Sequence, residues 1–109
     1  MSTDNLSSNQ FVSLNYEPMK LTHNVVAYNE EGKQIGNLQW NRRSKRIHWV
    51  GVDQNYRRQG IASHMWDLAH QVSAELGKPG PKHSTVRWNE GDAWAKSVGG
   101  DLPENKMKK

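Results

Sequence analysis

The residues most able to do chemistry lie together in the middle of the chain, in the run Arg57-Arg58-Gln59-Gly60-Ile61-Ala62-Ser63. If a helix begins at this point, its first turn carries unpaired backbone N–H groups and a partial positive charge. Gly60 would let the backbone approach a ligand with no side chain between them, and Arg57 and Arg58 would add positive charge. These features predict a binding site for a pyrophosphate, formed mainly by backbone donors.

The same run also fits a plain surface loop whose arginines face water. It lacks the Gly-Lys-Ser/Thr of a Walker phosphate loop and the Gly-x-Gly-x-x-Gly pattern of dinucleotide-binding folds. The neighbouring elements must therefore decide between a pyrophosphate site and a solvated loop.

The pattern around this run predicts a small α+β domain. Turn residues separate three candidate strands at residues 23–28, 34–40 and 46–52, and residues 11–14 form a weaker candidate, which together favour an antiparallel meander. Apolar residues then recur at helical spacing over residues 61–76, and Gly77 with the following prolines ends that helix. A strand over residues 83–88 and a short helix over residues 91–98 complete the order β-β-β-α-β-α.

Alternation along the strands assigns side chains to faces of the predicted sheet. In residues 34–40 we expect one face to hold Gly36, Leu38 and Trp40, with Ile35 on the other. In residues 46–52 we expect Ile47 and Trp49 to lie opposite His48, Val50 and Val52.

The composition limits what this domain can be. A chain of 109 residues allows one domain, and Leu, Ile, Val and Phe make up only about 17% of it, so the core must rely on the five Trp and three Tyr. The lack of cysteine excludes a disulfide scaffold, a cysteine-zinc module and a thiol nucleophile. No apolar run is long enough for a membrane span and the polar start does not resemble a signal peptide, so we expect a cytoplasmic protein.

We expect the domain to occupy residues 11–100, between a disordered Ser/Asn-rich arm at 1–10 and a polar basic tail at 101–109. The net charge of +4 suits an anionic partner, which includes nucleic acid, an acidic protein and a phosphorylated cofactor. Four cations crowd one predicted turn, at Arg42, Arg43, Lys45 and Arg46. We interpret them as a solvated turn, with a docking patch for RNA or an acidic protein as the less favoured alternative.

In this context, residues 50–66 resemble the signature of the GNAT superfamily of acyl-CoA-dependent N-acyltransferases. That signature is a strand, a Val-x-Pro-x-Tyr/Phe-Arg-like segment, and an Arg/Gln-x-x-Gly-x-Gly/Ala run that opens a long helix. The corresponding runs here are Val52-Asp53-Gln54-Asn55-Tyr56-Arg57 and Arg57-Arg58-Gln59-Gly60-Ile61-Ala62. The resemblance extends over residues 22–100 and implies a mostly antiparallel GNAT-like sheet with a long helix after the pyrophosphate loop, truncated at the C-terminus.

The resemblance implies acetyl-CoA as co-substrate and suggests which residues contact it. Main-chain groups of Val50 and Val52, with Gly51 between them, would pair with the pantetheine arm. The pyrophosphate would be held by the backbone N–H groups of Arg58, Gln59, Gly60, Ile61, Ala62 and Ser63, with added charge from Arg57. Asn89 occupies a place where the family often has an asparagine near the thiol end of the cofactor.

Three departures from the family pattern affect the expected chemistry. The tyrosine that protonates the leaving thiolate in many members is absent, because its place falls at Ala95 and no tyrosine follows Tyr56. Gln54 replaces the usual proline of the Val-x-Pro segment. The chain ends soon after Gly99-Gly100, where the family normally adds two strands, so we expect an acceptor side that is open or is completed by another chain.

The sequence offers His48 and Glu90, with Asp92 close to the latter, as candidates for a general base. Such a base takes a proton from the acceptor ammonium and works best with a pKa near the operating pH. Each candidate also has a structural interpretation, since His48 could be hydrogen-bonded within the sheet and the two acids could cap a helix. Catalysis by positioning, with water carrying the proton, is a further alternative.

Two functions from different classes follow from these observations. The favoured one is an N-acetyltransferase that moves an acetyl group from acetyl-CoA to an amine of a protein, a peptide or a small molecule. The alternative is a GNAT-fold module, catalytically weak or inactive, that acts by binding a protein partner. The five histidines include no His-x-x-x-His pair, so we expect no metal site, and a homodimer or a protein partner would complete the open acceptor side.

Overall fold

The computed structural model describes residues 13–57, 59–85, 87, 89–100 and 102–106, with the side chains of residues 89–92 excepted. Its strands are β1 (Ser13–Tyr16), β2 (Thr22–Tyr28), β3 (Gln34–Asn41) and β4 (Ile47–Val52). A 3-10 turn (Gln54–Tyr56) precedes the helices α1 (Ile61–Glu75) and α2 (Asn89–Val98). The arm expected at residues 1–10 and the first half of the strand expected at 11–14 lie outside the described residues.

The four strands form one antiparallel sheet in the order β1-β2-β3-β4, which confirms the predicted meander. An asparagine shapes each of the turns that flank β3. Asn29 Oδ1 accepts hydrogen bonds from the N–H groups of Glu31 and Lys33, and Asn41 Oδ1 accepts from those of Arg43 and Ser44. These turns place β4 at one edge of the sheet.

A β-bulge in β4 overturns the face assignment that alternation predicted for this strand. Gln39 lies opposite Trp49 and Trp40 lies opposite Ile47, which leaves His48 as an extra residue between them. Ile47 therefore packs in the same buried cluster as Val50, whereas the side chain of Trp49 is 57% exposed. The prediction was wrong because an inserted residue reverses the alternation of every residue on one side of it.

A second bulge has the same effect on β3. The register with β2 shifts so that Tyr28 pairs with Gln34 while Ala27 pairs with Gly36, and Ile35 is the extra residue. Ile35 is buried with Leu38 in the core instead of facing the other side of the sheet.

The helix α1 covers one face of the sheet and confirms the helix predicted over residues 61–76. Its buried side chains follow helical spacing and are Ile61, Met65, Trp66, Ala69 and Ser73. They pack against a cluster that includes Val25, Leu38 and Trp40. Leu76, expected in the apolar stripe, lies after the last helical residue and is 50% exposed.

The strand expected over residues 83–88 is not formed by the described residues of that range. Lys82 makes a single parallel bridge to Arg46, and residues 83–85 and 87 are irregular, with Val86 and Trp88 outside the described residues. The backbone of this segment pairs instead with residues 102–106. Lys106 N–H donates to the Thr85 carbonyl oxygen at 2.6 Å, and Asn105 bonds to both the N–H and the carbonyl oxygen of Arg87.

This pairing attaches part of the basic tail to the domain. The side chain of Arg87, which is 8% exposed, donates to the carbonyl oxygens of Ser84 and Pro103 and so ties the same two segments together. Of the tail, Asp101 and residues 107–109 lie outside the described residues.

Among the helices within the described ranges, none combines the length and the apolar character that crossing a membrane requires.

Candidate functional site

A cleft of about 840 Å³ runs along the outer edge of β4. β4 forms one wall, the loop after β4 and the first turn of α1 form one end, and residues of the 83–87 segment and of α2 form the opposite wall. Among the described residues after α1, Lys82 is the one whose backbone pairs with this edge, at the start of β4, where Ile47 N–H donates to the Lys82 carbonyl oxygen at 2.8 Å. With respect to the described residues, the rest of the edge therefore presents backbone N–H and C=O groups to the cleft.

The backbone groups of Val50 and Val52 are the ones directed to this free edge. Asp53 donates its N–H to the Ile35 carbonyl oxygen on β3 at 2.6 Å, so alternation turns the groups of Gly51 toward β3 and those of its two neighbours away. The Val52 carbonyl oxygen accepts a hydrogen bond from the side chain of Arg57, which also lines the cleft.

Hydrogen bonds at three points hold the loop between β4 and α1 in one shape. Asp53 Oδ1 accepts from Asn55 N–H at 2.9 Å and caps the 3-10 turn. Gln54 is the first residue of this turn, a position where the proline of the family pattern would also fit. The Tyr56 hydroxyl accepts from Asn29 Nδ2 at 3.1 Å, which connects the loop to the β2–β3 turn. Arg57 Nε donates to the Val52 carbonyl oxygen, at the end of β4, at 3.0 Å.

The start of α1 is suited to an anion. Gly60 precedes it with φ +79°, a left-handed conformation that costs a residue with a side chain about 1–2 kcal/mol. A Cβ at Gly60 would meet no atom closer than His64 Cε1 at 3.9 Å, so the space beside the backbone is open. Within the described residues no side chain caps this helix, and there the first-turn N–H groups of Ile61, Ala62 and Ser63 are available to an external acceptor.

Two further residues, Gln59 and Arg58, belong to the predicted pyrophosphate run, and Gln59 is not among the described residues that line the cleft. Gln59 is half-buried, and its Oε1 is buried without a hydrogen-bond partner among the described residues. Arg58 lies outside the described residues.

His83 and Trp94, on the opposite wall of the cleft, pack with the buried Trp66 in an aromatic cluster. The His83 ring lies parallel to the Trp66 indole with centroids 4.4 Å apart, and Trp94 packs edge-on against both rings. His83 Nε2 donates to the Gly99 carbonyl oxygen at 2.7 Å, because a carbonyl can only accept. Ala95, where the family often has tyrosine, is a buried residue that lines the same cleft.

The structure brings most of the predicted cofactor-binding residues to this one cleft. Those that line it are Val50, Gly51, Val52, Arg57, Gly60, Ile61, Ala62 and Ser63. The backbone of Asn89 starts α2, but its side chain and those of Glu90 and Asp92 lie outside the description.

Of the candidate bases, His48 is the one whose side chain is described. It is the extra residue of the β4 bulge, is exposed, and lines the cleft. Its ring makes no hydrogen bond to a described residue, so the interpretation of His48 as a histidine bonded within the sheet does not hold there.

Sequence reasoning missed several residues of the cleft. Trp49 lines it because the bulge turns its side chain outward, and no local pattern signals a bulge. His83, Ser84 and Arg87 line it because one bridge places their segment beside β4. The signals available in the sequence were the polar residues directly after the Pro79-Gly80-Pro81 turn.

Within the described ranges, no group of three or more His, Cys, Asp or Glu side chains is placed to hold a metal ion. The described part of the cleft offers backbone donors, guanidinium groups and aromatic rings instead.

Comparison with known proteins identifies the family. A family model described as the acetyltransferase (GNAT) domain matches residues 8–89. The chain belongs to the GNAT acetyltransferase family. No significant match is found among curated proteins.

Solved structures share the fold of this GNAT domain. A provisionally assigned acetyltransferase from Pyrococcus furiosus is 18% identical with a TM-score of 0.60, over 97% of this chain and 70% of that one. A provisionally assigned streptothricin acetyltransferase from Bacillus anthracis strain Ames, solved in complex with acetyl coenzyme A, is 21% identical with a TM-score of 0.51. That match covers 62% of this chain, and the chain spans 40% of the Bacillus protein. At these identities the similarities show the α+β GNAT fold alone.

Proposed function

We propose that this GNAT domain is an acetyl-CoA-dependent N-acetyltransferase that acetylates an amine of a protein, a peptide or a small molecule. The observation that carries the proposal is that the free edge of β4 leads directly to the uncapped start of α1 within one cleft. A strand edge suits an amide-rich arm, and a helix N-terminus suits a pyrophosphate. Coenzyme A carries these two groups in series.

The residues of the cleft fit the two parts of acetyl-CoA. The free-edge backbone groups of Val50 and Val52 would pair with the pantetheine amides. The first-turn N–H groups of α1 would hold the pyrophosphate beside Gly60, where the space is open. Arg57 would add charge from a guanidinium that its hydrogen bond to Val52 already orients.

Bound acetyl-CoA supplies an acetyl group activated as a thioester. The amine nitrogen bonds to the carbonyl carbon while the carbon–sulfur bond breaks, the amine loses one proton, and the departing thiolate gains one. The chain would contribute by aligning the two reactants along β4 and by directing a free-edge N–H near Val52 at the carbonyl oxygen.

The proton steps would involve few side chains. His48 lies exposed at the β4 bulge and could accept the amine proton directly or through water, and Glu90 is the second candidate. With Ala95 at the family tyrosine position, the thiolate would be protonated by water or leave without assistance.

The buried Ala95 also favours a second candidate function. A GNAT domain without the usual acid could bind the cofactor and a protein partner without fast acetyl transfer. Both functions use the same cleft, but only the transferase passes the acetyl group to an amine.

Calorimetry with acetyl-CoA, coenzyme A and ATP tests the cofactor assignment on the full chain. We expect binding of acetyl-CoA and coenzyme A, and weaker binding of ATP, which lacks the pantetheine arm. No binding of either coenzyme form would contradict the transferase and leave the module that binds a protein partner.

Incubation with labelled acetyl-CoA and a cell extract then separates the two functions. Label on a protein, peptide or small amine supports the transferase, and His48→Gln and Glu90→Gln variants identify which base is used. Cofactor binding with no transfer of label, together with stoichiometric capture of one protein partner, would support the binding module.

A further inference from the structure

Six cations from two distant segments meet at one end of the sheet. Four belong to the β3–β4 turn and two flank the Pro79-Gly80-Pro81 turn, and together they form what we call the basic patch: Arg42, Arg43, Lys45, Arg46, Lys78 and Lys82. Backbone contacts join the segments, since Lys82 N–H donates to the Lys45 carbonyl oxygen at 2.7 Å and Lys82 forms a bridge with Arg46. The sequence showed only the first four of these cations as a group.

The charge of Lys78 reaches the same buried residue as the charges of the β3–β4 turn. His23 is buried on β2, and its pKa is lowered first by burial and then by the charges of Arg42, Lys45 and Lys78. Cations of both segments thus contribute to a positive potential at one point of the molecule.

In the part of the chain that the structure describes, no carboxylate forms an ion pair with the basic patch. The hydrogen bonds that its side chains make go to backbone carbonyl oxygens: Arg42 Nε to Met19 at 2.8 Å, Arg46 Nη1 to His83 at 3.0 Å, and Lys45 Nζ to Arg42 at 2.5 Å. These bonds orient the two guanidinium groups without neutralising them. The basic patch is therefore suited to an external anion.

An exposed indole follows Arg46 of the basic patch by three residues, at the edge of the cleft described above. Trp49 lies opposite Gln39, and Gln39 Nε2 contacts the sulfur of Met19, whose carbonyl oxygen accepts from Arg42. The indole lies over Gly51, where a Cβ would come within 2.9 Å of Trp49 Cζ2. One strand pairing and one side-chain contact thus separate this flat aromatic surface from Met19, the residue that binds Arg42.

We propose that this surface binds single-stranded nucleic acid, with phosphates on the basic patch and a base stacked on Trp49. Guanidinium groups bind phosphate through paired donors, and an exposed indole stacks on any base. An acidic peptide would use the charge but leave the indole unused. An anionic lipid surface is the other competitor, because Met19 and Leu21 are exposed nearby. This binding does not require acetyl transfer, although Trp49 also lines the cleft proposed for acetyl-CoA.

Fluorescence anisotropy of a labelled oligouridylate of about 12 nucleotides tests the proposal with the full chain. The variant Arg43→Gln/Lys78→Gln/Lys82→Gln removes three exposed cations whose side chains make no hydrogen bond to a described residue. We expect it to bind about 100-fold more weakly at about 0.1 M salt, and to lower the slope of log affinity against log salt by about 2. Trp49→Leu should weaken binding about tenfold with an unchanged slope, whereas Trp49→Phe should retain most of the affinity.

A matched variant, Lys33→Gln/Lys96→Gln/Lys106→Gln, removes the same charge outside the basic patch and should bind like the wild type. Equal losses in the two triple variants would overturn the proposal, because net charge alone would then explain binding. Binding to phosphatidylserine vesicles or to polyglutamate without binding to the oligonucleotide would overturn it as well. Circular dichroism of each variant verifies that the fold is retained.

Discussion

Arg57 Nε donates a hydrogen bond of 3.0 Å to the carbonyl oxygen of Val52, and so ties the proposed pyrophosphate loop to the last residue of β4. The bond crosses five positions in sequence and sets both the direction of the guanidinium and the path of the loop. It joins the two halves of the proposed cofactor site, the strand edge and the helix start.

Replacing Arg57 with lysine keeps the charge but removes the planar group that can bond to Val52 and to a phosphate at once. We expect Arg57→Lys to weaken acetyl-CoA binding about tenfold, measured by calorimetry. Arg43→Lys, an exposed arginine in the β3–β4 turn, serves as the matched control and should leave the affinity unchanged. Wild-type affinity in Arg57→Lys would show that only charge matters at this position.

Gly60 and Gly32 allow a matched test of where the pyrophosphate binds. Both have left-handed φ values, +79° and +83°, and both have open space where a side chain would begin. Gly60→Glu and Gly32→Glu should therefore each cost about 1–2 kcal/mol of stability. Only Gly60→Glu should abolish acetyl-CoA binding in calorimetry, because its carboxylate would enter the space of the pyrophosphate. Equal affinity in the two variants would refute the placement of the phosphates.

Gly36 on β3 and Gly51 on β4 are diagonal neighbours, since Gly36 pairs with Val52 and Gly51 with Asn37, but their substitution should have different costs. A Cβ at Gly36 would lie 2.8 Å from the carbonyl oxygen of Gly51, an atom that the strand pairing holds in place. Gly36→Ala should lower the free energy of unfolding by about 2–3 kcal/mol in chemical denaturation.

A Cβ at Gly51 would instead meet the exposed indole of Trp49, which can rotate away. Gly51→Ala should cost less than about 1 kcal/mol. A larger loss for Gly51→Ala than for Gly36→Ala would contradict the described packing of these strands.

His23 should make the domain less stable in acid. Burial, followed by the charges of Arg42, Lys45 and Lys78, lowers the pKa of His23 below 6.5 in the folded protein. As the pH falls below about 6.5, the unfolded chain takes up this proton before the folded one does, so the free energy of unfolding decreases. The loss should level off below the folded-state pKa.

Denaturation measured between about pH 7 and pH 5 checks this linkage. His23→Gln should flatten the pH dependence, even though it also removes the hydrogen bond between His23 and the Tyr16 hydroxyl. The remaining slope should come in part from His70, whose pKa is lowered mainly by burial. His64→Gln, at an exposed position of α1, serves as control, and an unchanged slope in His23→Gln would contradict the prediction.

The predictable parts of the fold were those that depend on neighbours in sequence. Helical spacing located α1, and Gly60 marked its start because the left-handed conformation there favours glycine. Most of the predicted cofactor residues are close in space for the same reason, since they follow one another from β4 through the loop into the helix.

The bulges could not be predicted in this way. His48 is an extra residue only because Trp40 pairs with Ile47 while Gln39 pairs with Trp49, and that register depends on two strands at once. The separation of the exposed Trp49 from the buried Ile47, which alternation had put on one face, follows from it. Local alternation contains no information about such an insertion.

The sequence by itself determined the meander and the glycine-led helix, because both follow from local backbone preferences and the spacing of apolar residues. The motif in residues 50–66 carried the resemblance to the family. Only the tertiary structure decided what faces the cleft and where charge accumulates. The pairing of Asn105 with Arg87, and of Lys82 with Lys45 in the basic patch, joins residues that are far apart in sequence. Hydrogen bonds and charges act through space, so their partners are defined only once the chain has folded.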